Sequence, residues 1–231
     1  MKWLTSLLIV FHFTGFSQDA SLHGIFNDLL IKHVNQAGFV DYKGFKKDEK
    51  ELDKYLKILE KNAPSVTASK NEQLAFWINA YNAFTLKLIL KNYPVSSIEL
   101  INNGKPWDLK WIKIANKTYS LNNIEHDIIR KQFKDPRVHF ALNCSAKSCP
   151  PLLNQAYSAK ILDAQLETQT KNFILNKKYN QINSSGVTLS MIFSWYASDF
   201  GDVRKFISKY TNIDANAKTT WLEYNWQLNE Q

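Results

Sequence analysis

From Leu74 to Leu90 the chain reads LAFWINAYNAFTLKLIL, apolar on every side of a 3.6-residue period. A helix without a polar face belongs inside a domain, not on its surface. Ser69-Lys70-Asn71-Glu72 has the form of a capping box at its start, and Pro94 stops it. Other segments are amphipathic. Asp19 to Gln36 predicts a helix ending near Gly38, with Ile25, Leu29 and Ile31 among its apolar positions. Asp48 to Asn62 predicts a second, with Leu52, Tyr55, Leu56 and Leu59 on one stripe. GFVDYKGF between them reads as a short extended or turn segment, and APSVTAS as a linker.

Farther along, WIKIANKTYS predicts a hairpin turning near Ala115-Asn116-Lys117, followed by a helix from Leu121 to about Phe133. The alternation of Val138, Phe140 and Leu142 against His139, Ala141 and Asn143 predicts a strand over 138–143. A helix over Ser158–Asn176, a hairpin around Ser185-Gly186 and short helices over 190–199 and 202–210 follow. Leu222, Tyr224, Trp226 and Leu228 alternate as a final half-buried strand. Helices come first and short strands later, with no βαβ rhythm. That order predicts an α+β fold, helices packed on a small antiparallel sheet. No repeat, low-complexity tract or interdomain linker divides the chain, so 18–231 reads as a single domain.

The first seventeen residues change the compartment. MKWLTSLLIVFHFTGFS has one lysine, an apolar run and small residues near Ser17, the pattern of a cleaved secretory signal. The run is too short to span a bilayer, which takes roughly 20 residues. No cysteine follows it to carry a lipid. The expectation is a secreted or periplasmic bacterial protein, with no membrane span in the mature chain. Seven Trp, ten Tyr and fourteen Phe promise a large core. The net charge of +8 comes from lysines spread along the chain, in pairs at most. A nucleic-acid surface needs clustered basic charge, so no nucleic-acid partner is expected.

Several polar residues stand in apolar places. Asn79 and Asn82 lie about 60° apart on one face of the apolar helix, within reach of one partner. They either tie another segment to the helix or line a pocket, holding a substrate or an oxyanion. On the 121–133 helix, Glu125 falls in the middle of the stripe formed by Leu121, Ile124, Ile128, Ile129 and Phe133, with His126 at its edge. A carboxylate facing a core must find a donor, here a neighbouring imidazole or Arg137, or stay protonated. In RVHFALNCSAKSCPPL both cysteines follow His139 and Asn143 closely, with Lys147 between them. Four readings stay open: a Cys144–Cys149 disulfide, a Cys144 nucleophile with His139 or His126 as base, a metal site, or two buried packing thiols. Cys-x4-Cys with one upstream His matches zinc spacings poorly, so neither metal nor cofactor is expected.

The segments FWINAYNAFTL, LNNIEHDIIR, DPRVHFALNCSAKSCPPL, LSMIFSWYASDFG and LEYNWQLN, in this order, resemble the domain of unknown function 547 family, with core motifs over 74–229. The resemblance points to Asn79, Tyr81, Asn82, Glu125, His126, His139, Asn143, Cys144, Cys149 and Pro150, and it brings no established activity. A looser likeness is to papain-like and transglutaminase-like thiol folds, although there the nucleophile opens the central helix and precedes its histidine. Two functional expectations follow. One is thiol-dependent acyl transfer or amide hydrolysis, with Cys144 as nucleophile, His139 as base, Glu125 as orienter and Asn143 or Asn82 as oxyanion donor. The other is a non-catalytic envelope binding or scaffold module clipped by a Cys144–Cys149 disulfide. Either would take a small-molecule or peptide ligand.

Overall fold

The computed structural model describes residues 22–183, 186–214 and 218–231. The expected signal over 1–17 and the start of the first predicted helix lie outside these residues. At the centre is α4 (Lys70–Asn92), introduced after α1 (Gly24–His33), α2 (Tyr42–Lys47) and α3 (Glu49–Lys61). Its capping box forms as read: Glu72 N donates to Ser69 Oγ at 3.2 Å, and Ser69 N donates to the Glu72 carboxylate at 2.8 Å. Of residues 74–90 all but Trp77 are buried. Each core Leu, Ile or Phe removed from water contributes roughly 1.5–3 kcal/mol. Helices α3 and α5 (Asn123–Phe133) pack directly on α4, and α1 packs on α3. Even Lys87 is covered, its ammonium held by Glu49 at 2.8 Å and by Asp53.

The two asparagines of α4 act as backbone clamps. Asn79 Nδ2 donates to Tyr157 O at 2.8 Å while its Oδ1 accepts from Tyr157 N at 2.9 Å. Asn82 repeats the device, donating to Ala141 O at 2.9 Å and accepting from Asn143 N at 2.9 Å. An amide side chain thus does for each strap what a neighbouring strand would do.

The strands are short and lie at the periphery. β1 (Ile112–Ile114) and β2 (Lys117–Tyr119) form the expected hairpin, with Ala115 and Asn116 both at positive φ, as a type I′ turn requires. β3 (Gln181–Asn183) and β4 (Gly186–Leu189) pair antiparallel, and β5 (Thr219–Trp221) joins β4 in parallel. α6 (Leu162–Leu175), α7 (Met191–Trp195), α8 (Ala197–Phe200) and α9 (Val203–Ile207) complete the chain. Phe140, Phe173, Phe193, Phe200 and Phe206 build a second hydrophobic cluster beside the main one around α4. The architecture is α+β, and among the described residues no helix is long and apolar enough to cross a membrane.

Three segments depart from the sequence expectation. GFVDYKGF leads into α2, which starts at Tyr42 and is capped by Asp41, whose carboxylate accepts from Gly44 N at 2.8 Å. Residues 138–143 are not a strand. Asp135 accepts from Arg137 N, Pro136 occupies the first helical position, and Pro136–Phe140 close into a 3-10 turn. The alternation had a different cause: Val138 enters the main core and Phe140 the second cluster, with buried His139 between them. The strand expected over 222–228 ends at Trp221. Beyond it the tail pairs with the cysteine loop, Lys147 N donating to Gln227 O at 2.7 Å and Asn229 N to Ser145 O at 3.0 Å.

The clamps make a stability prediction. Asn82→Ala removes two buried hydrogen bonds and strands a backbone donor and acceptor, so it should cost on the order of 3 kcal/mol. That corresponds to a Tm lower by roughly 6–12 °C, read by thermal unfolding. A change below about 1 kcal/mol would show that Ala141 and Asn143 do not depend on the clamp.

Candidate functional site

A cavity of about 210 Å³ opens at the seam of the two clusters. α4 contributes Tyr81, α5 contributes Glu125 and His126, the 3-10 turn contributes His139, and the loop after it contributes Cys144 and Cys149. Most of the remaining wall is aromatic, from Trp107, Trp195, Tyr196, Tyr224 and Trp226, with Asn122, Leu142, Pro150 and Ile192 between them.

Ser120 positions the entry to α5, exchanging hydrogen bonds with Asn123: Asn123 N donates to Ser120 Oγ at 3.1 Å, and Ser120 N to Asn123 Oδ1 at 3.0 Å. The helix then winds with π-type i→i+5 bonding, a geometry found often at functional sites. Glu125, only 6% exposed, faces inward as the apolar stripe predicts. Its donor is a phenol, not the imidazoles or Arg137 expected from sequence. Tyr196 OH donates to Glu125 Oε1 at 2.7 Å, and the Tyr81 phenol lies close enough to feel the carboxylate charge. Burial, reinforced by the Glu125 charge, pushes both phenols well above their ordinary value, so they remain donors. Arg137 lies elsewhere, forked onto Asp135 and reaching Asp163.

The group that orients His139 is Asp199, not Glu125. His139 stacks on the Tyr196 ring with centroids 3.9 Å apart, and its Nε2 lies 2.8 Å from Asp199 Oδ2. Burial lowers the His139 pKa, more than the nearby Asp199 and Glu125 raise it. A neutral imidazole facing a carboxylate must carry its proton on Nε2, which leaves Nδ1 with the lone pair. Asp199 also receives the Arg130 fork, Nε at 2.6 Å and Nη2 at 2.9 Å, and these partners hold its carboxyl down at about 2. The third Arg130 arm donates to His126 Nδ1 at 2.8 Å, so His126 keeps its proton on Nε2.

Cys144 and Cys149 are bonded to each other, and the described residues hold no free cysteine. Tyr224 OH lies 3.3 Å from each sulfur, and Cys144 N is 2.8 Å from Cys149 Sγ. In this state there is no Cys144 thiol, and Lys147 turns away to Gln227 Oε1 at 2.9 Å. Asn79, Asn82 and Asn143 sit buried behind the wall. Asn143 shapes the loop, its Nδ2 donating to Pro150 O at 2.8 Å and its Oδ1 accepting from Ser145 N at 2.8 Å. The amides expected as oxyanion donors are therefore committed to backbone. Among the described residues no group of three or more His, Cys, Asp or Glu side chains is arranged to hold a metal.

Sequence reasoning thus brought Glu125, His126, His139, Cys144 and Cys149 to one place and missed Asp199, Tyr196, Tyr224 and the three tryptophans. Asp199 and Tyr196 lie in LSMIFSWYASDFG, where Asp199 reads as an ordinary helix-end acid. Tyr224 and Trp226 alternate as strand residues do, although an alternating pair of aromatics can equally line a cavity.

Buried neutral His139 sets a pH dependence. The unfolded chain binds a proton near pH 6.5 that the folded chain resists, so stability rises with pH in this range and falls as pH drops below about 6.5. Asp199, held at about 2 against 3.8, adds its own loss on acidification between those values. Tm should therefore decline from about pH 7 to about pH 5, and His139→Gln should flatten that decline. A wild-type Tm that rises over this interval would contradict a neutral His139.

Residues 65–174 match the family described as "Protein of unknown function, DUF547". The matched span includes Asn79, Asn82, Glu125, His126, His139, Asn143 and both cysteines, while Tyr196, Asp199, Tyr224 and Trp226 lie beyond it. No curated protein and no solved structure matches the chain.

Proposed function

We propose that this DUF547 chain is a binding module of the cell envelope or exterior, in which the aromatic cavity takes a small ligand and the Cys144–Cys149 disulfide is a structural part of its wall. The observation that carries the reading is the bonded cysteine pair itself, lodged in the cavity wall with Tyr224 OH 3.3 Å from each sulfur. A clipped loop presents a rigid surface and no nucleophile. The apolar leader with its small residues near Ser17 supports an oxidising compartment, where such a bond persists. A concave site with a mostly aromatic wall and a few convergent polar groups is also what ligand recognition uses.

One observation favours a second reading, thiol-dependent acyl transfer. His139, held by Asp199 and stacked on Tyr196, lines the same cavity as Cys144 and has a lone pair on Nδ1. Carboxylate–imidazole pairing of this kind supports a base, but the nucleophile exists only once the disulfide is reduced.

Thiol titration of the native protein separates the two. The binding reading expects no alkylation without reductant and both cysteines labelled after dithiothreitol. The Cys144→Ser/Cys149→Ser double variant should lose about 2 kcal/mol of stability from the opened loop and keep ligand-dependent tryptophan fluorescence changes. Rapid labelling of Cys144 in untreated protein, abolished by Cys144→Ser, would overturn the binding reading in favour of the thiol enzyme.

A further inference from the structure

Resting on that binding reading, we infer that the cavity recognises a cationic head group, an ammonium carried on an apolar body, with Glu125 as its counter-charge and the tryptophans as its cradle. The chain as a whole is strongly basic, at +8, yet among the described residues no lysine or arginine lines this cavity. The carboxylate of Glu125 is the acidic group in its wall, 6% exposed and oriented by the Tyr196 phenol. Arg130 is near enough to feel that charge, but three of its five N–H donors are committed, two to Asp199 and one to His126, and its guanidinium does not line the cavity. The neighbouring charges are thus balanced among themselves, while Glu125 is met by a neutral donor. A buried carboxylate in such a setting favours a cation that arrives with the ligand.

The aromatic wall fits the same class. Trp195 and Tyr224 lie 4.7 Å apart between ring centroids, Tyr224 and Trp226 4.5 Å, and Trp107 and Trp226 5.7 Å. These three pairs are inclined at 52–62°, while Trp195 and Trp226 lie nearly parallel at 22° with centroids 5.8 Å apart, so Tyr224 and Trp107 present faces across the direction the two tryptophans share. Tryptophan faces are the strongest aromatic partners for a cation, and such clusters are how quaternary ammonium groups are recognised. The volume of about 210 Å³ is below the roughly 300–1,000 Å³ of typical small-molecule pockets, which suits a head group better than a whole ligand.

The test compares choline with its neutral isostere 3,3-dimethylbutan-1-ol, and with glucose, by calorimetry and tryptophan fluorescence on the oxidised protein. Choline should bind at least about tenfold more tightly than the neutral alcohol. Glu125→Gln, which keeps an acceptor for the Tyr196 phenol, should erase that preference. Trp195→Ala, at an exposed position, should weaken choline without unfolding the protein. Equal affinity for choline and the alcohol, or an undiminished preference in Glu125→Gln, overturns the inference. Glucose or the alcohol binding in place of choline overturns the cation and leaves the binding reading standing. If none of the three binds, the inference falls, while the thiol titration still decides separately between binding module and thiol enzyme.

Discussion

Two asparagines in the middle of a buried helix impose a demand that the fold is built to meet. Asn79 and Asn82 each carry a donor and an acceptor into a region without water, where an unmet amide costs on the order of 1–3 kcal/mol. Each is met by one residue or two neighbouring residues of backbone, Tyr157 in one case, Ala141 and Asn143 in the other. The demand runs both ways, because those backbone groups are buried and lie outside any sheet. The clamp at Asn82 fixes the strap that begins the cysteine loop, and Asn143 passes the constraint on to Ser145 and Pro150. The cavity wall is therefore referenced to α4 through a short series of hydrogen bonds.

The opposite wall is referenced to α5 by charge. Arg130 holds Asp199, Asp199 holds His139, and His139 stacks on the tyrosine that donates to Glu125. This arrangement joins the main core to the second aromatic cluster, since Val138 and Phe140 flank His139 and enter one cluster each. The cavity lies at that seam, where two separately packed bodies of side chains leave space and polar groups can reach partners. The C-terminal tail closes it, bringing Tyr224 to the disulfide while its backbone pairs with the cysteine loop.

Much of the helical framework was legible from residues alone. The all-apolar run of α4, its capping box, the stripe of α3 and the Ala115-Asn116 hairpin turn each rest on local chemistry, and each is found in place. The segment 138–143 was not legible, because its alternation arose from two cores on opposite sides and not from the two faces of a sheet. The same holds for 222–228, where alternating aromatics face a cavity. Inward placement of Glu125 followed from its position in the stripe, but its donor did not: the Tyr196 phenol, from the segment between α7 and α8, reaches it from 71 residues away.

By itself the sequence determined which residues had to be buried and which of those carried unmet polarity, because periodicity and capping depend on neighbours within a few positions. It thus pointed to Asn79, Asn82, Glu125, His139 and the cysteine loop. Only the tertiary structure decided how each demand was met: backbone for the asparagines, a phenol for Glu125, Asp199 for His139, and a second sulfur for Cys144. Those choices depend on which distant segments arrive together, and hydrogen bonding acts over about 3 Å regardless of separation along the chain.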